Sequence, residues 1–138
     1  MSSALTLVDS GALVALLNRK EQHHAWAVEM SRTLPAPYLT SEPVLTETYF
    51  LVSSLPGGPL RFFEFLRSGM VAVDFSVIAE REALWKLIQK YKDLPMSLAD
   101  ACLVRLAELH AGASVFTLDG HFRIYRKHGR QQIPVIMP

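Results

Sequence analysis

The chain, residues 1–138, is half hydrophobic, which suits one domain with a sizeable core and excludes a disordered segment. Lysine and arginine number 14 against 13 aspartate and glutamate, so the net charge of +1 gives no argument for a nucleic-acid partner. The single cysteine, Cys102, excludes an internal disulfide and a cysteine-rich zinc site, and fits a small core residue in a reducing cytosol.

Short apolar strands alternate with helices along the first half of the chain. In order, the pattern predicts a strand at residues 4–8, a helix through Leu13, Leu16 and Leu17, a helix over residues 21–32, a strand at residues 38–40, and a helix from an N-cap at Ser41 to about Ser54. Pro56-Gly57-Gly58-Pro59 then predicts a loop.

The second half continues the alternation. It predicts a helix over residues 60–67, a strand at 70–75, a helix marked by Ile78, Trp85, Ile88 and Tyr91, a helix from Ser97 to about His110, a strand at 115–118 and an edge strand at 134–137. This order favours an α/β fold with a parallel sheet covered on both faces. We expect no transmembrane segment and no signal peptide, because no apolar run approaches about 18 residues and no basic region precedes the first one.

Acidic residues stand where predicted strands meet helices. Asp9 follows the first strand, Asp119 follows the strand at 115–118, and Asp100 lies in the first turn of a helix, whereas Glu47 lies within one. In open α/β sheets, ligands bind beyond the carboxyl ends of the strands, so these side chains are expected to converge there. Clustered carboxylates repel one another, and a hard divalent cation such as Mg²⁺ or Mn²⁺ resolves that conflict.

Each acid also has a purely structural interpretation. Asp9 can cap the following helix, and Asp100 can belong to a capping box that opens at Ser97. Asp119 precedes Gly120 in a turn-like dipeptide, and Glu47 can lie at an edge where its carboxylate reaches water. Taken singly, these alternatives stay open.

Two other acidic α/β sites fit less well. A response-regulator receiver needs an acidic pair after its first strand, where this chain has Asp9-Ser10-Gly11. A phosphatase of the DxD type needs a second acid where Gly11 stands.

The chain resembles the PIN-domain ribonucleases, and within them the VapC-like toxins of bacterial toxin–antitoxin pairs. The resemblance rests on LVDSGALVALLNRKEQHH, LTSEPVLTETYFLV and KYKDLPMSLADACLVRLAELHAGASVFTLDGHFRIYR. It implies a three-layer α/β/α domain with a short central, mainly parallel sheet. It assigns catalytic roles to the four acids, with Glu47 preferred to Glu42, and hydrogen-bonding support to Ser10 and Thr117.

The same resemblance implies hydrolysis of RNA phosphodiester bonds with Mg²⁺ or Mn²⁺ as the cofactor. Asp9 and Asp100 become the direct metal ligands, and Asp119 ligates directly or through water. Glu47 positions or deprotonates the attacking water, or holds a second metal. A cytoplasmic homodimer held inactive by a cognate antitoxin protein is also implied. The alternative function is a catalytically silent PIN-like module that binds RNA or protein.

Two further groups of residues suggest binding surfaces. The segment HFRIYRKHGR places basic residues at helical spacing, which suits an RNA-binding strip or a solvated helix face: Arg123, Arg126, Lys127 and Arg130. In the same segment, Phe122 and Tyr125 are expected to face the core. Aromatic residues suit either a protein interface or core packing: Trp26, Phe62, Phe63 and Phe65.

Overall fold

The computed structural model of the chain describes residues 5–138. Its strands are β1 (Thr6–Val8), β2 (Tyr38–Thr40), β3 (Val71–Val73), β4 (Ser114–Phe116), β5 (Arg126–Lys127), β6 (Gln131–Gln132) and β7 (Val135–Ile136). Its helices are α1 (Ser10–Leu17), α2 (His24–Ser31), α3 (Glu42–Val52), α4 (Gly58–Arg67), α5 (Arg81–Lys90), α6 (Leu98–Leu109) and a 3₁₀ helix, Gly120–Arg123. The predicted alternation is confirmed as far as β4, and Ala4 of the first predicted strand lies outside the described residues.

The central sheet has the strand order β3-β2-β1-β4-β7, and every neighbouring pair in it is parallel. With helices on both faces, this confirms the predicted three-layer α/β/α fold, and β7 confirms the predicted edge strand. Val8 of β1 lies opposite Phe116 of β4. The residues that follow these two strands therefore leave the sheet side by side.

Buried strands and one central helix form the core. Leu7 and Val8 of β1 and Val115 and Phe116 of β4 have no exposed surface, as is usual for short parallel strands covered on both faces. Helix α6 is buried along most of its length, and Cys102 is fully buried within it, which confirms its predicted place in the core.

Helix α5 is confirmed, but the residues that marked it lie mostly on its outer side. Trp85 and Ile88 are exposed, and Ile78 precedes the helix and is exposed as well. The core instead receives Leu84 and Leu87. Both sets repeat at helical spacing, and the spacing alone does not say which set faces inward.

The aromatic residues considered for an interface divide in the same way. Phe62 is buried, and Trp26 and Phe65 pack against the core while half-buried. Phe63 is 53% exposed and alone among these residues presents most of its ring to solvent.

The predicted basic helix is wrong. The 3₁₀ helix ends at Arg123, and β5 then pairs antiparallel with β6 in a hairpin. His128, Gly129 and Arg130 connect the two strands, and the first two have φ values of 51° and 82°. Two consecutive residues with positive φ lie outside the right-handed helical region, so a helix cannot pass through this turn. Phe122 and Tyr125 are fully buried, as expected.

Among residues 5–138, none of the helices is long and apolar enough to cross a membrane.

Candidate active site

Asp9 directly follows β1 and is the N-cap residue of α1. Its Oδ1 accepts a hydrogen bond from the backbone N–H of Ser10 at 2.7 Å. Its Oδ2 accepts one from the hydroxyl of Thr117 at 2.8 Å. The capping interpretation therefore holds, but capping engages one oxygen only. The bond from Thr117 turns the other toward the end of β4.

Asp100 lies in the first turn of α6. Its backbone N–H donates to Ser97 Oγ at 3.0 Å, which is half of the expected capping box. The Asp100 carboxylate also accepts a hydrogen bond at 3.0 Å from the buried hydroxyl of Tyr125. The N–H and hydroxyl of Ser97 lie close enough to lower the pKa of Asp100, so the carboxylate is shared between its own helix terminus and the tyrosine.

Asp119 follows β4 and caps the 3₁₀ helix. Its Oδ1 accepts a hydrogen bond from the backbone N–H of His121 at 2.9 Å and lies 3.2 Å from His121 Nδ1. Its own N–H donates to the Thr117 hydroxyl oxygen at 2.9 Å. That hydroxyl donates to Asp9, so Thr117 couples the positions of Asp9 and Asp119.

These three aspartates meet. Asp9, Asp100 and Asp119 each offer a carboxylate oxygen within 4.8 Å of the other two. Together, these surroundings raise the pKa of Asp9 from 3.8 to about 6. Burial is the largest cause, the hydrogen bonds from Thr117 and Ser10 oppose it, and the negative charges of Asp100 and Asp119 add to it. Burial also raises the pKa of Asp100, against the lowering effect of the Tyr125 hydrogen bond.

The donor set suits a hard divalent cation. It consists of carboxylate oxygens only, on groups that are 4% exposed at Asp9 and 8% exposed at Asp100. Within residues 5–138, neither of these two aspartates has a lysine or arginine in ion-pair contact. Carboxylates this close cannot all stay ionised without positive charge, and Mg²⁺ or Mn²⁺ would supply it.

Glu47 stands beside this cluster. It is half-buried on α3, and its Oε1 accepts a hydrogen bond from the Ser10 hydroxyl at 2.5 Å. Since Ser10 also donates its N–H to Asp9, one residue connects the glutamate to the cluster. Glu42, the other acid considered, is exposed at the start of α3. The structure therefore places Glu47 at the site.

Sequence reasoning missed two side chains that touch the acids. Tyr125 was expected only to pack in the core, yet its hydroxyl binds Asp100. The signal was available, because a buried tyrosine hydroxyl needs a hydrogen-bond partner where a phenylalanine would not. His121 was given no role, although its position two residues after Asp119 puts it within reach of a capping carboxylate.

The predicted RNA-binding residues do not join the cluster. Arg123 Nε lies 3.4 Å from Met137 Sδ, and Arg126 Nη1 donates to the backbone carbonyls of Arg123 and Ile124, just before the hairpin. Lys127 is half-buried at the end of β5, and Arg130 is exposed within the hairpin turn. The structure gives no direct contact between these cations and the aspartates.

Comparison with known proteins places this geometry in a family context. A model described as PIN domain matches residues 6–127. Ribonuclease VapC26 of Mycobacterium tuberculosis is 29% identical over 133 residues, which cover 94% of this chain and 98% of that protein. The crystal structure of M. tuberculosis VapC20, a Sarcin-Ricin loop cleaving toxin, superposes with a TM-score of 0.74 at 21% identity, over 83% of this chain and 90% of that one.

Proposed function

The chain belongs to the PIN domain family, and we propose that it is a divalent-metal-dependent endoribonuclease that hydrolyses RNA phosphodiester bonds as the toxin of a toxin–antitoxin pair. The observation that carries the proposal is the convergence of Asp9, Asp100 and Asp119 within 4.8 Å. RNA as the substrate class is supported by the similarity to Ribonuclease VapC26, which extends over nearly the whole length of both chains.

In this proposal Asp9 and Asp100 hold the cation directly, and Asp119 holds it directly or through water. A divalent cation bound there would polarise a phosphoryl oxygen and lower the pKa of a water molecule. The chain's contribution is to fix the ligand oxygens before the cation arrives. Thr117 aims Asp9 and Tyr125 aims Asp100, so the carboxylates need little rearrangement to bind.

We assign Glu47 the handling of the attacking water. Its Oε1 is occupied by the Ser10 hydroxyl, which fixes the side chain. Its Oε2 accepts the proton as the water attacks phosphorus, the role of a positioned general base. Holding a second cation is the other role open to Glu47. The kinetic order of the cleavage rate in metal concentration distinguishes the two roles: first order for one cation and second order for two.

Cleavage of RNA by the purified protein tests the proposal. The wild type should cleave single-stranded RNA with Mg²⁺ or Mn²⁺, and EDTA should abolish cleavage. Asp9→Asn and Asp100→Asn should each lower the rate by about a thousandfold or more, because a positioned metal centre contributes several kcal/mol to the transition state. Asp74→Asn, at an exposed acid outside the cluster, is the matched control and should cleave as the wild type does.

Two outcomes would contradict the proposed nuclease activity. Wild-type turnover in either cluster variant would show that these aspartates do not hold the catalytic cation. Binding of RNA without cleavage under any metal would favour the silent binding module. Manganese titration followed by calorimetry gives a readout independent of turnover: the wild type should bind the ion, and the Asp9→Asn protein should bind it far more weakly.

We also propose that the protein acts in the cytoplasm as a homodimer controlled by an antitoxin. Support for a self-contact comes from a groove of about 680 Å³ beside Glu47, where Phe50 is 75% exposed and Leu98 is 46% exposed. Apolar residues this exposed commonly mark protein interfaces. Light scattering should report a dimer for the wild type and a monomer for Phe50→Glu. A wild-type monomer at micromolar concentration would contradict the homodimer.

A further inference from the structure

A second cleft, of about 430 Å³, lies between α5, α6 and the β5–β6 hairpin. Cations dominate its lining: Lys86, Lys90, Arg105 and Arg126. We propose that this cleft holds the phosphodiester backbone of the RNA strand on one side of the scissile bond, so that it acts as a substrate track outside the carboxylate site. The inference rests on the proposed ribonuclease function and assigns the surface that binds the RNA strand outside the catalytic site.

The acidic residue in the cleft, Glu108, is already paired. Glu108 Oε1 lies 3.1 Å from Arg105 Nη1, and its Oε2 accepts a hydrogen bond at 2.8 Å from the backbone N–H of His128. Arg105 is shared with Glu80 at 2.6 Å. Arg105, Glu80 and Glu108 together carry one net negative charge, which is less than the three positive charges of Lys86, Lys90 and Arg126.

Those other cations are uncompensated. Among the described residues, no carboxylate lies within 4.0 Å of Lys86, Lys90 or Arg126. Lys86 and Lys90 are exposed and occupy one face of α5, four residues apart. Three positive charges around one concave surface concentrate an anion there more strongly than the same charges dispersed over a convex one.

Two of the cations are held in place by neutral groups. Lys90 Nζ donates to the carbonyl oxygen of Gly129 at 2.8 Å and lies 5.2 Å from the ring centroid of Tyr91. Arg126 Nη1 donates to the carbonyls of Arg123 and Ile124 at 2.8 and 3.0 Å. Its Nε and Nη2 remain for an outside acceptor, in the fork geometry that matches phosphate.

The cleft is anchored to the carboxylate site through adjacent residues. Tyr125 donates to Asp100, and the next residue, Arg126, lines the cleft. The Arg126 N–H donates to the Tyr91 hydroxyl at 2.8 Å, and the rings of Tyr91 and Tyr125 pack edge to face at 5.1 Å. Along α6, the rise of about 1.5 Å per residue puts Arg105 about 7.5 Å beyond Asp100. A strand of a few nucleotides spans such a separation.

An RNA backbone fits this chemistry better than a folded acidic partner. Lysine ammonium groups on flexible stems bind phosphates as point charges without reading sequence, and they suit a strand that slides through. The cleft is also small and narrow for a protein interface, which buries several hundred Å² on each side. An acidic polypeptide is therefore tested as a competitor.

The paired variant Lys86→Gln/Lys90→Gln tests the track. Anisotropy of a fluorescein-labelled single-stranded RNA of about 12 nucleotides, titrated in EDTA over a series of KCl concentrations, measures binding apart from cleavage. The slope of log Kd against log salt should fall by about 1.4, since each lost phosphate contact removes about 0.7 on a single strand. With Mn²⁺ present, KM should rise severalfold while kcat changes little, because the contact is equal in ground and transition states.

The matched control is Lys20→Gln/Arg67→Gln, which removes the same charge from exposed positions outside α5, α6 and the hairpin. It should keep the wild-type slope and KM, and both double variants should unfold at the wild-type temperature. With a dinucleotide, whose one phosphodiester is the scissile bond and leaves no phosphate for the cleft, the ratio of wild-type to variant kcat/KM should approach one.

These measurements distinguish a wrong assignment of the track from a wrong assignment of the nuclease activity. If the wild type cleaves and the Lys86→Gln/Lys90→Gln protein shows an unchanged slope and KM, or the control loses as much, the track is overturned and the nuclease stands. Displacement of RNA by polyglutamate at equal charge concentration would overturn the RNA assignment in favour of an acidic protein. A wild type that neither cleaves nor binds RNA would overturn the proposed function, and the track with it.

Discussion

Replacing Asp9 with asparagine should stabilise the metal-free protein at neutral pH. Burial raises the pKa of Asp9 from 3.8 to about 6. A carboxyl whose folded pKa is raised stabilises the fold fully below 3.8 and loses that contribution as the pH rises through about 6. Two pKa units correspond to about 3 kcal/mol, and asparagine does not ionise. The Asp9→Asn protein should therefore gain up to about 3 kcal/mol over the wild type between pH 4 and pH 7.

Urea denaturation in EDTA at several pH values measures this difference. Adding Mn²⁺ at neutral pH should reverse the order, because an ion at a thousand times its Kd stabilises only the wild type, by about 4.1 kcal/mol. Asp74→Asn, at an exposed aspartate, should show no such pH dependence. A difference between wild type and Asp9→Asn that is independent of pH, or one that favours the wild type more as pH rises, would refute the electrostatic reasoning.

Two further substitutions have defined consequences. Tyr125→Phe removes the 3.0 Å hydrogen bond to Asp100 and should weaken Mn²⁺ binding about tenfold or more, as measured by calorimetry. Unchanged affinity would mean that the hydroxyl does not position the carboxylate. Gly58→Ala should destabilise the protein by more than about 3 kcal/mol in urea denaturation, because the added Cβ would lie 1.9 Å from the Val52 carbonyl oxygen. Gly120→Ala, which has nothing within 4 Å of its added Cβ, is the comparison, and equal losses in the two proteins would contradict the steric account.

The position of the carboxylate cluster could be predicted from the sequence because it depends on features that have a local signature. Asp9 and Asp119 follow short apolar stretches that form β1 and β4, and these strands are neighbours in the sheet. Asp100 follows an N-cap that is visible as Ser97. Parallel topology brings the ends of such strands together whatever the intervening chain does.

The contacts that aim those acids were less accessible to prediction. A core position for Tyr125 implies that its hydroxyl has a hydrogen-bond partner, but the sequence does not say that the partner is Asp100. The hairpin shows the other failure. Arg123, Arg126 and Arg130 fit a helical period, and the turn depends on positive φ at His128 and Gly129, which outweighs that spacing.

The carboxylates of this chain have two kinds of partner, and that difference argues most directly for a cation at the cluster. Glu80 and Glu108 each form an ion pair with the guanidinium of Arg105. Asp9 and Asp100 receive their hydrogen bonds from backbone N–H groups and hydroxyls, which orient a carboxylate while leaving its charge in place. An arginine at the same place would satisfy the carboxylate electrostatically and compete with a metal ion for it. Neutral donors around buried acids thus fix the ligand geometry and leave a negative charge that only an added cation balances, which is the arrangement a hydrolytic metal centre requires.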